Sequence, residues 1–99
     1  MRITKEQAEI IKKNVAALVV EPHKIWLFGS RADDNLRGGD VDLFIETHAN
    51  LENKVAMIGK IYAKLIMVLG DREIDVLLKD AQSKEQEIFA IARKEGKLL

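Results

Sequence analysis

The chain has 99 residues, of which 47% are hydrophobic and 32% charged, with one proline and six glycines. This composition is typical of one folded domain, which we expect to span residues 1–99, and it excludes collagen-like and disordered classes. Sixteen basic side chains balance sixteen acidic ones, so the chain lacks the net positive charge of a protein that grips long nucleic acid. Cysteine is absent, which excludes disulfides and thiolate metal sites.

The sequence contains no signal for secretion or membrane insertion. The segment from Met1 to Gln7 has no apolar core, and no run of eighteen uncharged apolar residues follows. We therefore expect a cytoplasmic protein that makes no membrane contact.

The first half of the chain predicts one helix and two strands. Thr4 and Gln7 form a capping-box pair in front of apolar residues at helical spacing. Residues 24–28 are β-branched and aromatic, and residues 40–46 form a second run of this kind after a polar stretch. Both runs are predicted strands.

The second half predicts two helices around a third strand. The first helix covers residues 51–69, with Asn50 as its cap and Gly70 at its end. A strand over residues 73–78 follows. The last helix opens with the capping-box pair Ser83 and Gln86 and ends near Glu95.

This order predicts an α/β fold in which helices pack against a small mixed three-stranded sheet. The connection between the first two strands is short for a parallel crossover, so we expect that pair to be antiparallel. The long helix between the second and third strands suits a parallel, right-handed crossover. The topology then brings together Gly29 and Ser30 after the first strand, Asp40 and Asp42 in the second, and Asp75 in the third.

Three carboxylates therefore converge at one edge of the predicted sheet. Asp40 and Asp42 are two residues apart on a strand and leave the same face, and Asp75 stands between apolar residues in the same way. Carboxylates about 5 Å apart repel by roughly 3 kcal/mol per pair at an effective dielectric constant of 20, so we expect a cation there. Oxygen ligands favour Mg²⁺ or Mn²⁺, and the pattern predicts two-metal phosphoryl or nucleotidyl transfer. The plainer alternative is that acids at strand starts face water.

Gly29 and Ser30 add a second feature at that edge. A strand that ends in Gly-Ser offers bare N–H groups and a hydroxyl to a phosphate, although an ordinary β-turn has the same composition. A Gly-Ser strand end, followed by Asp-Val-Asp on a second apolar strand and an acid on a third, rarely arises by chance. The combination favours a phosphate-binding site with metal-binding acids.

Two apolar features have structural interpretations. Trp26, Phe28 and Phe44 lie on the acid-bearing face and are interpreted as core beneath a helix, with base stacking as the alternative. The long helix has an apolar stripe roughly 180° wide, more than a sheet alone requires. We interpret it as a core helix between the sheet and a neighbouring helix, with a partner surface at its margin as the alternative.

Three strings carry a family resemblance: Leu-Phe-Gly-Ser-Arg-Ala at residues 27–32, Gly-Asp-Val-Asp-Leu-Phe-Ile at residues 39–45, and Ile-Asp-Val-Leu at residues 74–77. Together they resemble the minimal nucleotidyltransferases of the DNA polymerase beta superfamily, and the resemblance covers nearly the whole chain. It implies a polymerase-beta-like fold and an enzyme of the EC 2.7.7 type. It also implies two Mg²⁺ or Mn²⁺ ions and ATP or another nucleoside triphosphate as substrate.

The resemblance assigns nucleotide binding to Gly29, Ser30 and Arg31. In that family the Gly-Ser pair holds the β- and γ-phosphates of the triphosphate. The sequence departs from the pattern at Asp33 and Asp34, where many relatives have a basic residue and glycine. These two extra acids weaken the attraction for a triphosphate if they point inward.

The resemblance assigns metal binding and catalysis to Asp40, Asp42 and Asp75. In that family the first two acids hold two divalent metals, and the third shares a metal and helps to deprotonate the attacking hydroxyl. All three acids are present, so we interpret the chain as an active enzyme.

The resemblance also implies a partner. Family members of this length resemble the antitoxin of a toxin–antitoxin pair whose other half is a small helical HEPN ribonuclease, modified by transfer of AMP to a tyrosine. The expected activity is therefore protein adenylylation. Two alternatives stay open, a non-catalytic nucleotide-binding module that occludes the toxin and a transferase acting on a small molecule such as an antibiotic. A homo-oligomer also stays open.

Overall fold

A computed structural model describes residues 3–28, 41–70 and 73–99. The described residues form, in chain order, α1 (Lys5–Leu18), β1 (His23–Leu27), β2 (Val41–Thr47), α2 (Lys54–Leu69), β3 (Ile74–Lys79), α3 (Glu87–Glu95) and β4 (Lys97–Leu98). No helix in these ranges is long and apolar enough to cross a membrane.

The sheet has the strand order β3-β2-β1-β4. β1 and β2 are antiparallel, and β2 and β3 are parallel, as predicted. The α/β fold is therefore confirmed, but the described residues form a sheet of four strands where three were expected. β4 pairs antiparallel with β1 through two residues, a length too short to carry the period-two alternation from which a strand is predicted.

The first helix begins as predicted and the second does not. Thr4 and Gln7 form a complete capping box, in which each side chain accepts a hydrogen bond from the other residue's backbone N–H, at 3.0 and 2.9 Å. For α2 the N-cap is Asn53, which accepts from the Ala56 N–H at 3.0 Å, so the prediction of Asn50 was wrong. Leu51 lies before the helix, where it is buried and its N–H donates to the Asp80 carboxylate at 3.2 Å.

The last helix begins at Glu87, four residues after the predicted cap at Ser83. The Ser83 hydroxyl donates to Asp80 Oδ1 at 2.8 Å and accepts from Lys54 Nζ at 2.8 Å. It is therefore committed to a loop and cannot cap a helix. Gln86 takes the N-cap position without a side-chain hydrogen bond.

The sheet separates two apolar cores. α1 and α2 pack on one face, where Ile61 and Leu65 of α2 are fully buried, which confirms the interpretation of α2 as a core helix. α3 packs on the other face over an aromatic stack. In that stack the ring centroids of Trp26 and Phe44 are 5.3 Å apart, and those of Phe44 and Phe89 are 5.1 Å apart. Trp26, Phe28 and Phe44 are buried core, as predicted, and base stacking is excluded for Phe44, which is fully enclosed.

Candidate active site

Asp42 of β2 and Asp75 of β3 are paired residues in the parallel ladder. Neighbouring strands lie about 4.8 Å apart, and side chains at paired positions leave the same face of a sheet. The two carboxylates that the sequence places on different strands are thus brought side by side. Asp42 is half-buried and Asp75 is exposed.

Two backbone hydrogen bonds fix this end of the sheet. The Phe28 N–H donates to the Asp42 carbonyl at 3.0 Å, and the Val41 N–H donates to the Glu73 carbonyl at 2.7 Å. The first bond places Phe28 directly beside Asp42, and the predicted phosphate-binding segment follows Phe28 in the chain. The second fixes the register that sets Asp42 opposite Asp75.

The strands that carry the acids are packed into the core at their next residues. Phe44 and Leu77 are the next residues along β2 and β3 on that face, and they pack in the core beneath α3. A carboxylate that stands on such a strand is held in place more firmly than one on a loop. The pair is therefore preorganised by packing as well as by the ladder.

The pair has the chemistry of a hard-cation site. Two carboxylates on adjacent strands repel each other in the ionised state, and a divalent cation offsets that repulsion while leaving coordination positions open. Among the residues that the structure describes, no group of three His, Asp or Glu side chains could hold a metal ion. The sequence predicts Asp40 as a further ligand beside Asp42 and Asp75.

Several predicted site residues lie outside the described residues, namely Gly29, Ser30, Arg31 and Asp40. Their assigned roles in nucleotide and metal binding stay predictions. Asp42 and Asp75, the two predicted residues within the described ranges, are brought together as the topology required.

An ion-pair cluster that sequence analysis missed ties α3 to the sheet. The Arg93 guanidinium binds Glu46 through Nε and Nη2 at 3.0 and 3.1 Å, and binds Glu85 through Nη1 and Nη2 at 2.9 and 2.7 Å. Its carbon Cζ lies 5.6 Å from the centre of the Phe44 ring. The hydrogen bonds to Glu85 and Glu46 raise the pKa of Arg93, and the bond from Arg93 lowers the pKa of Glu85. This cluster stabilises α3 over the core that supports Asp42.

A second missed cluster surrounds the buried carboxylate of Asp80, which follows β3. Its oxygens accept hydrogen bonds from the Leu51 N–H at 3.2 Å, the Gln82 N–H at 3.2 Å and the Ser83 hydroxyl at 2.8 Å. Burial alone would raise the pKa of Asp80, but these hydrogen bonds and the charge of Lys54 together lower it. Because this carboxylate is fully engaged with the fold, we assign it a structural role.

The two histidines lie at the end of the sheet away from the acids. His23 Nδ1 is 2.8 Å from the Glu21 carbonyl oxygen, and His48 is exposed beyond the end of β2. Both line a cavity of about 180 Å³ with Glu46, whose carboxylate is bound to Arg93. The described residues form no metal-ligand group here either.

Comparison with known proteins agrees with the geometry. The family model described as "Polymerase beta, Nucleotidyltransferase" matches residues 5–99. No curated protein matches the chain significantly. The matched range includes the strand pair that carries Asp42 and Asp75 and almost the entire chain, and the chain therefore belongs to the polymerase beta nucleotidyltransferase family.

Proposed function

We propose that this chain transfers a nucleoside monophosphate, AMP from ATP, to a hydroxyl group on a partner protein. The observation that carries the proposal is the pairing of Asp42 with Asp75 on adjacent parallel strands in a chain of the nucleotidyltransferase family. Paired carboxylates on a rigid edge are what a metal-assisted attack on a phosphate requires.

In the proposed reaction the acceptor hydroxyl oxygen attacks the α-phosphorus of the triphosphate. Asp75, the exposed acid, takes the hydroxyl proton as the new P–O bond forms, and the bond between the α- and β-phosphates breaks to release pyrophosphate. Ser30 and the neighbouring backbone N–H groups hold the departing phosphates. Divalent cations bound by Asp40, Asp42 and Asp75 would neutralise the phosphate charge and lower the pKa of the attacking hydroxyl.

The proposed acceptor is a tyrosine of a small helical HEPN ribonuclease, which makes this chain the antitoxin of a toxin–antitoxin pair. The resemblance of the sequence to antitoxins of this length supports the proposal, as does the absence of net charge, which disfavours nucleic acid as the acceptor. Asp75 is exposed on the face of the sheet that carries the acid pair, where a protein-borne hydroxyl can reach it.

The test compares two labels. The chain and the partner encoded beside it are incubated with Mg²⁺ and ATP labelled at either the α- or the γ-phosphate. We expect label on the partner from α-labelled ATP alone, and transfer at least about 100-fold slower with Asp42→Asn or Asp75→Asn. Glu87→Gln removes an exposed carboxylate on α3 and serves as the matched control that keeps full activity. Transfer of the γ label, or undiminished transfer by both Asn variants, would refute the proposal.

A second experiment, which measures inhibition of the partner, separates occlusion from transfer. A chain that neutralises its partner by binding alone still inhibits it when Asp40 and Asp42 are both replaced by Ala. Loss of inhibition with binding retained would exclude occlusion and support transfer. A transferase for small molecules would instead label an antibiotic in the absence of any partner.

A further inference from the structure

β3 is the last strand of the sheet on its side, and the described residues place no strand along its outer edge. It is six residues long, contains no proline and carries only two charges, Asp75 near its start and Lys79 at its end. Natural sheets usually protect an edge of this length or use it for pairing with another strand.

The hydrogen-bond pattern shows which groups that edge offers. In a parallel ladder a residue that bonds to its neighbour uses both its N–H and its C=O, and the next residue along points both groups away. The Val41 N–H bonds to the Glu73 carbonyl, so the odd-numbered residues of β3 face β2. The N–H and C=O groups of Val76 and Leu78 therefore point outward, available to another strand.

The sequence of β3 is complementary to itself in the antiparallel direction. If Leu77 lies on a two-fold axis, Val76 meets Leu78 of a second copy and Asp75 meets Lys79 of that copy. Val76 and Leu78 are both outward-bonding residues, so they form a hydrogen-bonded pair. Asp75 and Lys79 form a non-hydrogen-bonded pair, in which side chains lie closest together. Shifting the register by two residues would keep the hydrogen bonds between the strands but would no longer place Asp75 opposite Lys79.

Apolar surface lies on the same side of the molecule as this edge. On the α1 side of α2, Ala56, Met57 and Lys60 line a cavity together with Leu18 at the end of α1. The opposite side of α2 therefore lies toward the open edge of β3, since α2 packs on α1 and on β3.

That opposite side, which we call the α2 flank, consists of Val55, Tyr62 and Ile66. Their spacing of seven and four residues places them along one side of the helix. Val55 is 78% exposed and Tyr62 is 46% exposed, and Ile66 is half-buried. α2 contains no acidic residue, and its lysines lie away from this flank. A second copy would thus meet an uncharged apolar surface next to the outward groups of β3.

We propose that a second copy of this chain pairs antiparallel with β3 about a two-fold axis at Leu77, with the α2 flanks of the two copies packed against each other. The result is one continuous sheet of eight strands, twice the four strands in the described part of each chain. A two-fold interface requires a surface complementary to itself, which the exchange of Asp75 with Lys79 provides.

This arrangement brings a residue of the second copy to the candidate site. Lys79 of that copy lies beside Asp75 and supplies a positive charge next to the repelling pair of Asp42 and Asp75. Its influence on catalysis rests on the proposed function, but the association itself does not, so the tests below measure association alone.

The first test measures mass by sedimentation equilibrium. We expect the wild-type chain to form a dimer, and Lys79→Glu or Asp75→Lys alone to raise the dimer dissociation constant at least roughly tenfold, because each change places like charges opposite each other twice. The double variant Asp75→Lys with Lys79→Asp restores opposite charges and should restore the dimer. Tyr62→Glu should weaken it as well, whereas Val20→Glu, at an exposed apolar residue off the flank, should not. A monomeric wild-type chain, or a double variant no tighter than the singles, would overturn the proposal.

The second test checks the register in which the two copies of β3 pair. The chain has no cysteine, so Leu77→Cys introduces a single thiol at the two-fold axis. Non-hydrogen-bonded pairs have Cα atoms about 4.5 Å apart, within the range that a disulfide spans. Mild oxidation should link Leu77→Cys chains into a covalent dimer and leave Val20→Cys chains largely unlinked. Equal linking of both variants, or none at residue 77 in a chain that circular dichroism shows to be folded, would contradict the register.

Discussion

The Cα atoms of Asp42 and Asp75 are partners across the parallel β2–β3 ladder, so two carboxylates leave one face of the sheet next to each other. Two ionised carboxylates at this separation repel each other. In the presence of a chelator, Asp75→Asn should raise the free energy of unfolding by about 1 kcal/mol, the Coulomb energy of two charges about 5 Å apart in water.

Urea unfolding with and without Mg²⁺ measures this effect. Mg²⁺ should stabilise the wild-type chain more than Asp75→Asn, because binding to the folded state alone shifts the unfolding equilibrium. Glu87→Gln, on the exposed surface of α3, should respond to Mg²⁺ like the wild-type chain. An Asp75→Asn variant less stable than wild type in chelator would show that the two carboxylates do not repel.

Gly96 and Gly59 provide a matched pair of substitutions. A Cβ at Gly96 would overlap the Ala92 carbonyl oxygen and lie 2.9 Å from the Leu27 carbonyl oxygen, whereas a Cβ at Gly59 meets nothing within 4 Å. Gly96→Ala should therefore lower the free energy of unfolding by about 2 kcal/mol, because backbone must shift. Gly59→Ala, within α2, should raise it by about 0.5–1 kcal/mol. Equal effects in chemical denaturation would contradict the close approach of Gly96 to β1.

Asp80 should make stability depend on acid pH. Hydrogen bonds from Ser83, Leu51 and Gln82 outweigh burial and lower its pKa in the folded state below the ordinary value of 3.8. A lowered pKa contributes stability above the unfolded-state value, and that stability is lost as the pH falls through the folded-state value. Asp80→Asn should lower the free energy of unfolding by about 2 kcal/mol at neutral pH.

The measurement is urea unfolding of wild type and Asp80→Asn from neutral pH to below pH 3. The difference between the two chains should shrink as the pH falls below the ordinary value of 3.8. A difference that stays constant over this range would show that the ionised carboxylate is not what holds the loop.

Arg93 should contribute more to the free energy of unfolding than its partner Glu85. Arg93→Met removes the guanidinium bound to Glu46, whose side chain is 13% exposed. The free energy of unfolding should therefore fall by about 2 kcal/mol. Arg93→Lys keeps the charge but loses the two-point contact, so it should recover part of the loss. Glu85→Gln acts on an exposed side chain and should change stability far less. Thermal unfolding ranks the three variants, and a Glu85→Gln loss as large as that of Arg93→Met would contradict the ranking.

The sequence predicts the arrangement of the strands better than it predicts the boundaries of elements. The parallel orientation of β2 and β3, which brings Asp42 and Asp75 to one edge, follows from the length of the connection, since a long helical crossover makes two strands parallel. The register that pairs these two residues does not follow from it. The start of α2 was misplaced because Asn50 and Asn53 are equally good caps in isolation, and the structure uses Asn53.

Other features depend on distant contacts that no local pattern reveals. Ser83 has the signature of a cap, yet its hydroxyl is held by Asp80 and Lys54. The two-residue strand β4 owes its existence to pairing with β1. Arg93 meets Glu46 across 47 positions of sequence. In each case tertiary hydrogen bonds override a local preference.

Binding of Mn²⁺ in the presence of a non-hydrolysable ATP analogue, measured by electron paramagnetic resonance, shows directly whether Asp42 and Asp75 hold a metal with the nucleotide. We expect a ternary complex of protein, nucleotide and metal in the wild-type chain, and a metal affinity at least roughly tenfold weaker in both Asp42→Asn and Asp75→Asn. Glu87→Gln should bind as wild type does. Unchanged Mn²⁺ affinity in both Asn variants would contradict the claim that Asp42 and Asp75 together hold a divalent cation with the nucleotide.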